Sequence, residues 1–439
     1  MKKTCCTLLC AVSLAAVSSG VLAADVTVDS STLLGIGARD VSGTSKETLL
    51  PATQFLGLTA EKLADGNLSL HLYGWGRIDL ADKSYNNDKN AGSLTYGYLQ
   101  YRFNQANANI RAGRLFVREG IVNEQIDGIS ARTDLPMGFG LSAFGGATVP
   151  TAHIFGENSD GKGDALYGGR ANYRYKGLLE VGLSGVFESA APTLATHTAG
   201  DYRRVGADIW VTPVKMIDIL GHSSYNPETE QIAEHTYLLK VKPVQHLVLS
   251  GEFNEHRELS YFYAAALFTS MPTFNPADKS RSVGVSASYE VSKNFELSAD
   301  YKQYKREFGS ADRFGGEARV NYKDNSIRGG IGYHYLNAGE GFAIGANPSA
   351  SYHELRCYAM RDTRSYFAAI DILGDFFKEK IYGKSSAWEA TTSLGYHFTP
   401  AMALSGDLSY GRNPQFTEET KGLLRLTYNM TYAGIGGKK

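Results

Sequence analysis

Histidine and cysteine are the side chains best suited to hold a metal or a haem, and this 439-residue chain has ten of the first and four of the second. Cys5, Cys6 and Cys10 crowd the start and Cys357 stands alone. No Cys-x-x-Cys-His run is present, so haem attachment by that motif is excluded. The histidines follow no repeated ligand spacing and read as structural or solvated. Acid–base chemistry needs a carboxylate set beside a base. Asp208 with His222, or Glu354 with His353, would serve on paper, but 45 acidic residues make chance pairs common. Gly35-Ile36-Gly37 and Gly434-Ile435-Gly436-Gly437 lack the strand-turn-helix setting of a nucleotide-binding loop. The expectation is a protein without catalytic, cofactor-binding or metal-binding residues, and not an enzyme.

The charges are more informative in their spacing. Phe295, Leu297, Ala299 and Tyr301 alternate with Glu296, Ser298 and Asp300. Trp388, Ala390, Thr392, Leu394 and Tyr396 alternate with Glu389, Thr391 and Ser393, and Leu424, Leu426, Tyr428 and Met430 with Arg425, Thr427 and Asn429. A period of two places such sets on opposite faces of a strand, one suited to hydrocarbon and one to water. The pattern recurs from about Leu68 to Tyr432, less cleanly at Arg111 to Val117 and Asn123 to Thr133. Past the first residues no window is apolar for long enough to cross a membrane as a helix. The 27 Tyr and 48 Gly against 12 Pro suit a barrel with interfacial aromatic girdles. A net charge of -1 excludes a strongly basic nucleic-acid surface.

Short reversals are expected near Gln105 to Ala108, Leu135-Pro136, Lys176-Gly177, Thr212-Pro213, Lys242-Pro243-Val244, Ser292-Lys293-Asn294, Lys323-Asp324-Asn325, Arg361 to Ser365 and Thr399-Pro400, where Pro, Gly, Asn and Asp favour turns. Longer connections lie between them, including Ala81 to Gly92, Pro150 to Gly163, Ser189 to Asp201, Arg257 to Lys279 and Asn337 to Ala350. This predicts an all-β chain: a transmembrane antiparallel β-barrel of about 20 strands, range 18–22, in the Gram-negative outer membrane, with both termini periplasmic.

Met1-Lys2-Lys3, the apolar run from Thr7 to Val17 and the small-residue site Val21-Leu22-Ala23 read as a secretory signal peptide over residues 1–23. Thr7-Leu8-Leu9 before Cys10 does not suit a lipid anchor. Residues 24–66 read as an irregular periplasmic segment with a short helix about Thr59 to Ala64. The barrel is expected over 67–432 and a periplasmic tail over 433–439. The mature chain then keeps only Cys357, so closure of the sheet must supply what disulfides supply elsewhere.

The charged residues expected to line the lumen are Arg170, Arg174, Arg204, Asp208, Lys240, Glu252, Glu296, Asp300, Lys302, Glu317, Arg319, Arg328, Glu354, Arg356, Asp371, Asp407 and Arg425. Both signs are present, which points to weak ion selectivity or to a wall that hydrogen-bonds a protein surface. Twenty strands about 4.8 Å apart and tilted about 40° enclose a lumen too wide for side chains to fill.

Pro51-Ala52-Thr53-Gln54-Phe55-Leu56-Gly57-Leu58 and Leu70-His71-Leu72-Tyr73-Gly74-Trp75-Gly76-Arg77-Ile78-Asp79-Leu80 resemble the opening of the outer-membrane channel subunits of porin-cytochrome electron conduits in metal-reducing bacteria. Gly113-Arg114-Leu115-Phe116 through Asp127-Gly128, then Gly138-Phe139-Gly140 and Gly145-Gly146, are similar to that family in arrangement. The resemblance covers the first third of the mature chain. It implies a sleeve that holds multihaem cytochromes, periplasmic and outer-surface, across the outer membrane for extracellular electron transfer, and that carries no cofactor itself. The alternative is a weakly selective diffusion porin for small hydrophilic solutes, narrowed by an inward loop such as Arg257 to Lys279.

Overall fold

A computed structural model describes residues 24–41, 47–63, 66–81, 90–149, 163–191, 200–257, 279–306, 309–339, 351–414 and 416–435. Residues 1–23, Tyr261 to Phe268 and Gly436-Gly437 lie outside them. The strands are β1 (Ala24–Val41), β2 (Glu47–Leu49), β3 (Pro51–Leu63), β4 (Leu68–Asp79), β5 (Asn90–Phe103), β6 (Ala108–Glu119), β7 (Val122–Asp134), β8 (Phe139–Thr148), β9 (Ala165–Tyr175), β10 (Leu179–Ala191), β11 (Gly200–Val214) and β12 (Ile217–Asn226). They continue as β13 (Gln231–Val244), β14 (Leu247–His256), β15 (Ser280–Ser292), β16 (Phe295–Arg306), β17 (Gly309–Tyr322), β18 (Ile327–Ala338), β19 (Tyr352–Asp362), β20 (Tyr366–Ile381), β21 (Lys384–Thr399), β22 (Met402–Arg412) and β23 (Phe416–Ile435).

Each stave pairs antiparallel with the next, and β1 pairs both β3 and β23, with Asp29 opposite Gly57 on one side and Asn429 on the other. The sheet therefore closes. The short β2 runs into β3 through Leu50, so the wall has 22 staves. Closure pairs the first strand with the last, so the ring has no terminal edge, which is the condition for a sheet to stand in hydrocarbon. Twenty-two staves give a circumference of about 140 Å and a backbone diameter of about 44 Å. Side chains reduce the bore to about 30 Å.

Curvature distinguishes the two faces. Side chains converge on the concave face of a closed sheet and splay apart on the convex one. In β16, Glu296, Ser298, Asp300, Lys302 and Tyr304 are half-buried, whereas Leu297, Ala299, Tyr301 and Gln303 are exposed. The charged face is therefore the inner one. Register carries the assignment round the wall. Lys302 faces Arg313, Glu317 faces Gly332, Gly332 faces Arg356 and Tyr358 faces Asp371. Ser393 faces Asp407, Ser405 faces Arg425 and Arg425 faces Leu33. Outward at the end with the short turns stand Tyr101, Phe103, Tyr175, Tyr322, Tyr396 and Phe398, all well exposed. That is the aromatic girdle of a membrane interface.

Three expectations need correction. Residues 24–66 are mostly wall, not an irregular segment: β1 and β3 are the strands that close it. Ser and Thr sit on both faces of β1, which hides its alternation, and around Thr59 pairing with β1 and β4 overrides the local preference of Ala60, Glu61 and Lys62 for helix. The turns expected at Pro213 and Pro243 fall about two residues later, at Lys215-Met216 and Gln245-His246. Proline lacks an N–H for the ladder, and the register jumps there from Val211 to Val214 and from Val241 to Val244, while the strands go on. Finally, Gly120-Ile121 makes a tight turn at the end where most connections are long.

Candidate functional site

That turn joins β6 and β7 into a hairpin which leaves the wall. Pairing of β6 with β5 stops at Arg114 opposite Gly97, and pairing of β7 with β8 stops at Ile126 opposite Thr148. Beyond those points β6 and β7 pair only with each other, out to Glu119 opposite Val122. Gly113 lies opposite Gly128 where the departure begins and holds φ at 130°. A Cβ on Gly113 would stand 2.9 Å from the Tyr98 Cα, so only glycine lets the backbones cross so closely.

The hairpin folds inward. Leu115, Val117, Ile121, Val122 and Ile126 form one buried cluster with Phe144 of β8, Leu166 of β9 and Val186 of β10. These wall residues belong to the inner face, since Phe144, Leu166 and Val186 lie two or four residues from Ser142, Arg170 and Ser184, which oppose one another. Each such aliphatic side chain buried contributes about 1.5–3 kcal/mol, which makes apolar packing the main anchor. The tip reaches further, to β10 and β11. The Ile121 N–H donates to Ser184 Oγ at 3.1 Å, and Arg204 Nη2 donates to the Ile121 carbonyl at 2.9 Å. Gly120 has φ 61°, and a Cβ there would lie 2.8 Å from Asp208 Oδ1. A Cβ on Gly206 would lie 2.7 Å from Ile121 Cγ2. Ser184, Gly206 and Asp208 stand near the middle of their strands, so the tip rests at about half the height of the wall.

Charges surround the tip. Arg170 Nε donates to Asp208 Oδ1 at 2.9 Å and its Nη2 to Glu180 Oε1 at 2.9 Å. Arg174 Nε donates to Glu180 Oε2 at 2.9 Å and its Nη1 lies 3.6 Å from Asp134. Arg132 Nη1 is 3.9 Å from Glu119. On the reverse face of the hairpin, Arg114 grips Asp127 with two bonds of 2.7 and 2.6 Å and donates to the Leu94 carbonyl at 3.1 Å. The Gln125 amide donates to the Thr95 carbonyl. These bonds engage the Leu94 and Thr95 carbonyls on the β5 edge that the hairpin abandoned.

Register puts every charged residue expected at the lumen on the inner face, but in separate groups. Arg170, Arg174, Arg204 and Asp208 lie around the hairpin. Lys302 pairs with Glu252, Arg319 with Glu296 and Glu317, and Arg356 with Asp371. Asp300 and Glu354 are bridged by His334 at 3.0 and 3.2 Å. Arg328 lies 3.9 Å from Asp362, and Lys240, Asp407 and Arg425 share the same face. Sequence reasoning missed Arg132, Glu180, Glu234, Arg313 and His334, which the alternation of their neighbours would have placed there. The two acid–base pairs come apart: His222 bonds Glu234 at 3.1 Å while Asp208 turns to Arg170, and His353 points outward to the Tyr333 hydroxyl at 2.7 Å. Among the described residues no group of three or more His, Cys, Asp or Glu fits a metal ion. Cys357 is outward and half-buried beside Leu355 and Ala359.

No protein-family model matches the chain, and no curated protein matches it. Among solved structures it resembles the ferric enterobactin receptor PfeA of Pseudomonas aeruginosa at TM-score 0.55 and 10% identity, over 94% of this chain and 81% of that one. The fold is that of an outer-membrane β-barrel. It also overlaps the P pilus usher PapC translocation pore, at TM-score 0.48 and 11% identity over 92% of this chain and all of that one. For OccAB4 of Acinetobacter baumannii the TM-score is 0.47 at 11% identity, over 93% and 98% of the two chains. No helix among the described residues is long and apolar enough to cross a membrane.

Proposed function

We propose that this chain is an outer-membrane diffusion channel for small hydrophilic solutes, narrowed by its own β6–β7 hairpin. The observation that supports this is the seating of Gly120-Ile121 on Ser184 and Arg204 at half height. A second sheet layer lying on a first takes up about 10 Å. In that direction a bore of about 30 Å falls to about 20 Å, which admits hydrated solutes. A folded domain of 100 residues, with a radius of gyration of about 13 Å, fits poorly. In this reading the inner-face charges, from Arg170 and Asp208 to Asp407 and Arg425, hydrate the path. Their mutual pairing gives weak ion selectivity, and the short-turn end with both termini faces the periplasm.

The width of 22 staves favours a second reading, the sleeve for periplasmic and outer-surface multihaem cytochromes in electron transfer. Purification from the native membrane separates the two. Ohmic conductance from the purified chain alone in a planar bilayer supports the channel. Haem-staining proteins that co-purify in fixed ratio, with no conductance from the chain alone, support the sleeve.

A further inference from the structure

Next to the point where the hairpin leaves, the inner face carries an aromatic stair. Phe55 and Tyr73 stack with centroids 6.3 Å apart and planes 25° from parallel, and Tyr73 and Tyr96 with centroids 5.5 Å apart at 17°. Tyr96 meets Tyr98 at 5.9 Å, and Tyr98 stacks on His71 at 4.9 Å and 25°. Tyr98 also packs against the apolar cluster of the hairpin, so the stair ends at the constriction. Its first steps follow from register. One row of paired residues runs Asn429, Asp29, Gly57, Tyr73, Tyr96, and Gly57 leaves the space over which the Tyr73 ring leans. A Cβ on Gly57 would come within 3.1 Å of Tyr73 Cδ2 and 3.4 Å of Asp29 Cβ.

Half-exposed rings on a wall of charges and hydroxyls leave apolar surface facing water, and a ligand that covers it gains stability. The end of the stair at Phe55 and Tyr73 opens into a cleft of about 340 Å³. Phe55 and Tyr73 form its apolar side, while Asp29, Ser31, Thr427 and Asn429 offer hydrogen bonds. The ionisable groups lining it include the Asp29 carboxylate, held by the Asn429 amide, and the His397 imidazole, but no Lys or Arg. Rings of this kind, with a few convergent hydrogen-bonding groups, a single carboxylate and no Lys or Arg in the cleft, suit a ring-shaped, polyhydroxylated and uncharged solute. A pyranose fits: one face presents C–H groups to an aromatic ring and the rim presents hydroxyls. An anionic aromatic acid does not, because Asp29 would repel it.

We infer that the stair from Phe55 to Tyr98 is a carbohydrate-binding track, on which successive pyranose rings of a linear oligosaccharide lie against Phe55, Tyr73 and Tyr96. In the cleft beside Phe55 and Tyr73 the sugar hydroxyls bond Asp29, Ser31, Thr427 and Asn429. As the route of a permeating solute the track rests on the channel reading; as a binding surface it does not.

Two readouts separate those possibilities. Trp75 lies on the same face, directly opposite Phe55. With Trp210→Phe and Trp388→Phe it becomes the sole tryptophan and reports binding without any current. In the full mature chain, maltohexaose is expected to shift Trp75 emission saturably and to interrupt the current in a planar bilayer. Tyr73→Ala and Gly57→Val should each weaken both effects at least tenfold, and Tyr73→Phe should retain them. Heat-shifted migration on gels verifies that each variant is folded. A conducting channel that maltohexaose neither blocks nor reports through Trp75 overturns the inference and leaves the channel reading standing. Blockade by benzoate in place of maltohexaose also overturns it. Absence of conductance together with a saturable Trp75 shift supports the track and removes the channel.

Discussion

Arg204 and Ile121 are 83 positions apart in the chain, and the Arg204 guanidinium donates a 2.9 Å bond to the Ile121 carbonyl. Ile121 sits at the tip of the inward hairpin and Arg204 near the middle of β11, so the bond ties the constriction to the wall. A hydrogen bond from a charged group contributes about 1.5–3 kcal/mol. Replacing it with Arg204→Met should leave the barrel folded but let the tip lift. The expected result is a noisier single-channel current with brief openings to about twice the main level. An unchanged, quiet current would mean that the tip is held without Arg204.

The packing of Ile121 over Gly206 gives a covalent test. Ile121→Cys with Gly206→Cys, in a Cys357→Ser background, should form a disulfide under mild oxidation, since a Cβ on Gly206 lies within contact of Ile121. The oxidised channel should conduct like the parent and lose its noise. Failure of the two cysteines to join would contradict the inward position of the tip.

Arg170 is the hub between Asp208 and Glu180, and its side chain is 9% exposed. Arg170→Gln would take the guanidinium from Asp208 and leave Glu180 with Arg174 alone, close to the hairpin tip. A tenfold salt gradient across a bilayer should then give a reversal potential shifted by at least 10 mV toward cation preference, against a value near zero for the parent, if unpaired carboxylates set selectivity there. The same variant should unfold at lower urea. No shift in reversal potential would place the ion path away from Arg170.

Deleting β1, residues 24–41, would expose the edges of β3 and β23 together. Such a chain cannot satisfy its backbone in hydrocarbon, and it should lose heat-modifiable migration and aggregate. A folded, detergent-soluble product would mean that closure does not depend on β1.

Sequence revealed the wall wherever its two faces meet different solvents, as in Phe295 to Tyr301, because hydrocarbon outside and water inside impose a period of two. It failed where that contrast disappears. In β1 the Ser, Thr and Gly residues suit either face. In β6 and β7 the wall-facing side of the hairpin is mostly apolar, with Leu115, Val117 and Ile126 beside the buried Glu119 and Glu124, because it packs on another sheet layer instead of facing water. The weak alternation at Arg111 to Val117 was thus the mark of the constriction. Gly113 and Gly128, within the stretch that suggested the conduit family, have a direct physical role: they let the hairpin bend away. The aromatic stair was not legible at all, since Phe55, Tyr73 and Tyr96 come together only through the register of three strands. The inward loop proposed at Arg257 to Lys279 lies largely outside the described residues.

The most direct test of a lumen narrowed by its own hairpin is the single-channel conductance of a shortened chain. Arg114 and Asp127 lie directly opposite each other, so Leu115 to Ile126 can be replaced by Asn-Gly, which favours a two-residue turn. The account predicts a folded barrel whose conductance is at least threefold that of the parent and whose cut-off for polyethylene glycol size rises with it. A folded variant with the parent's conductance and the same cut-off would contradict it.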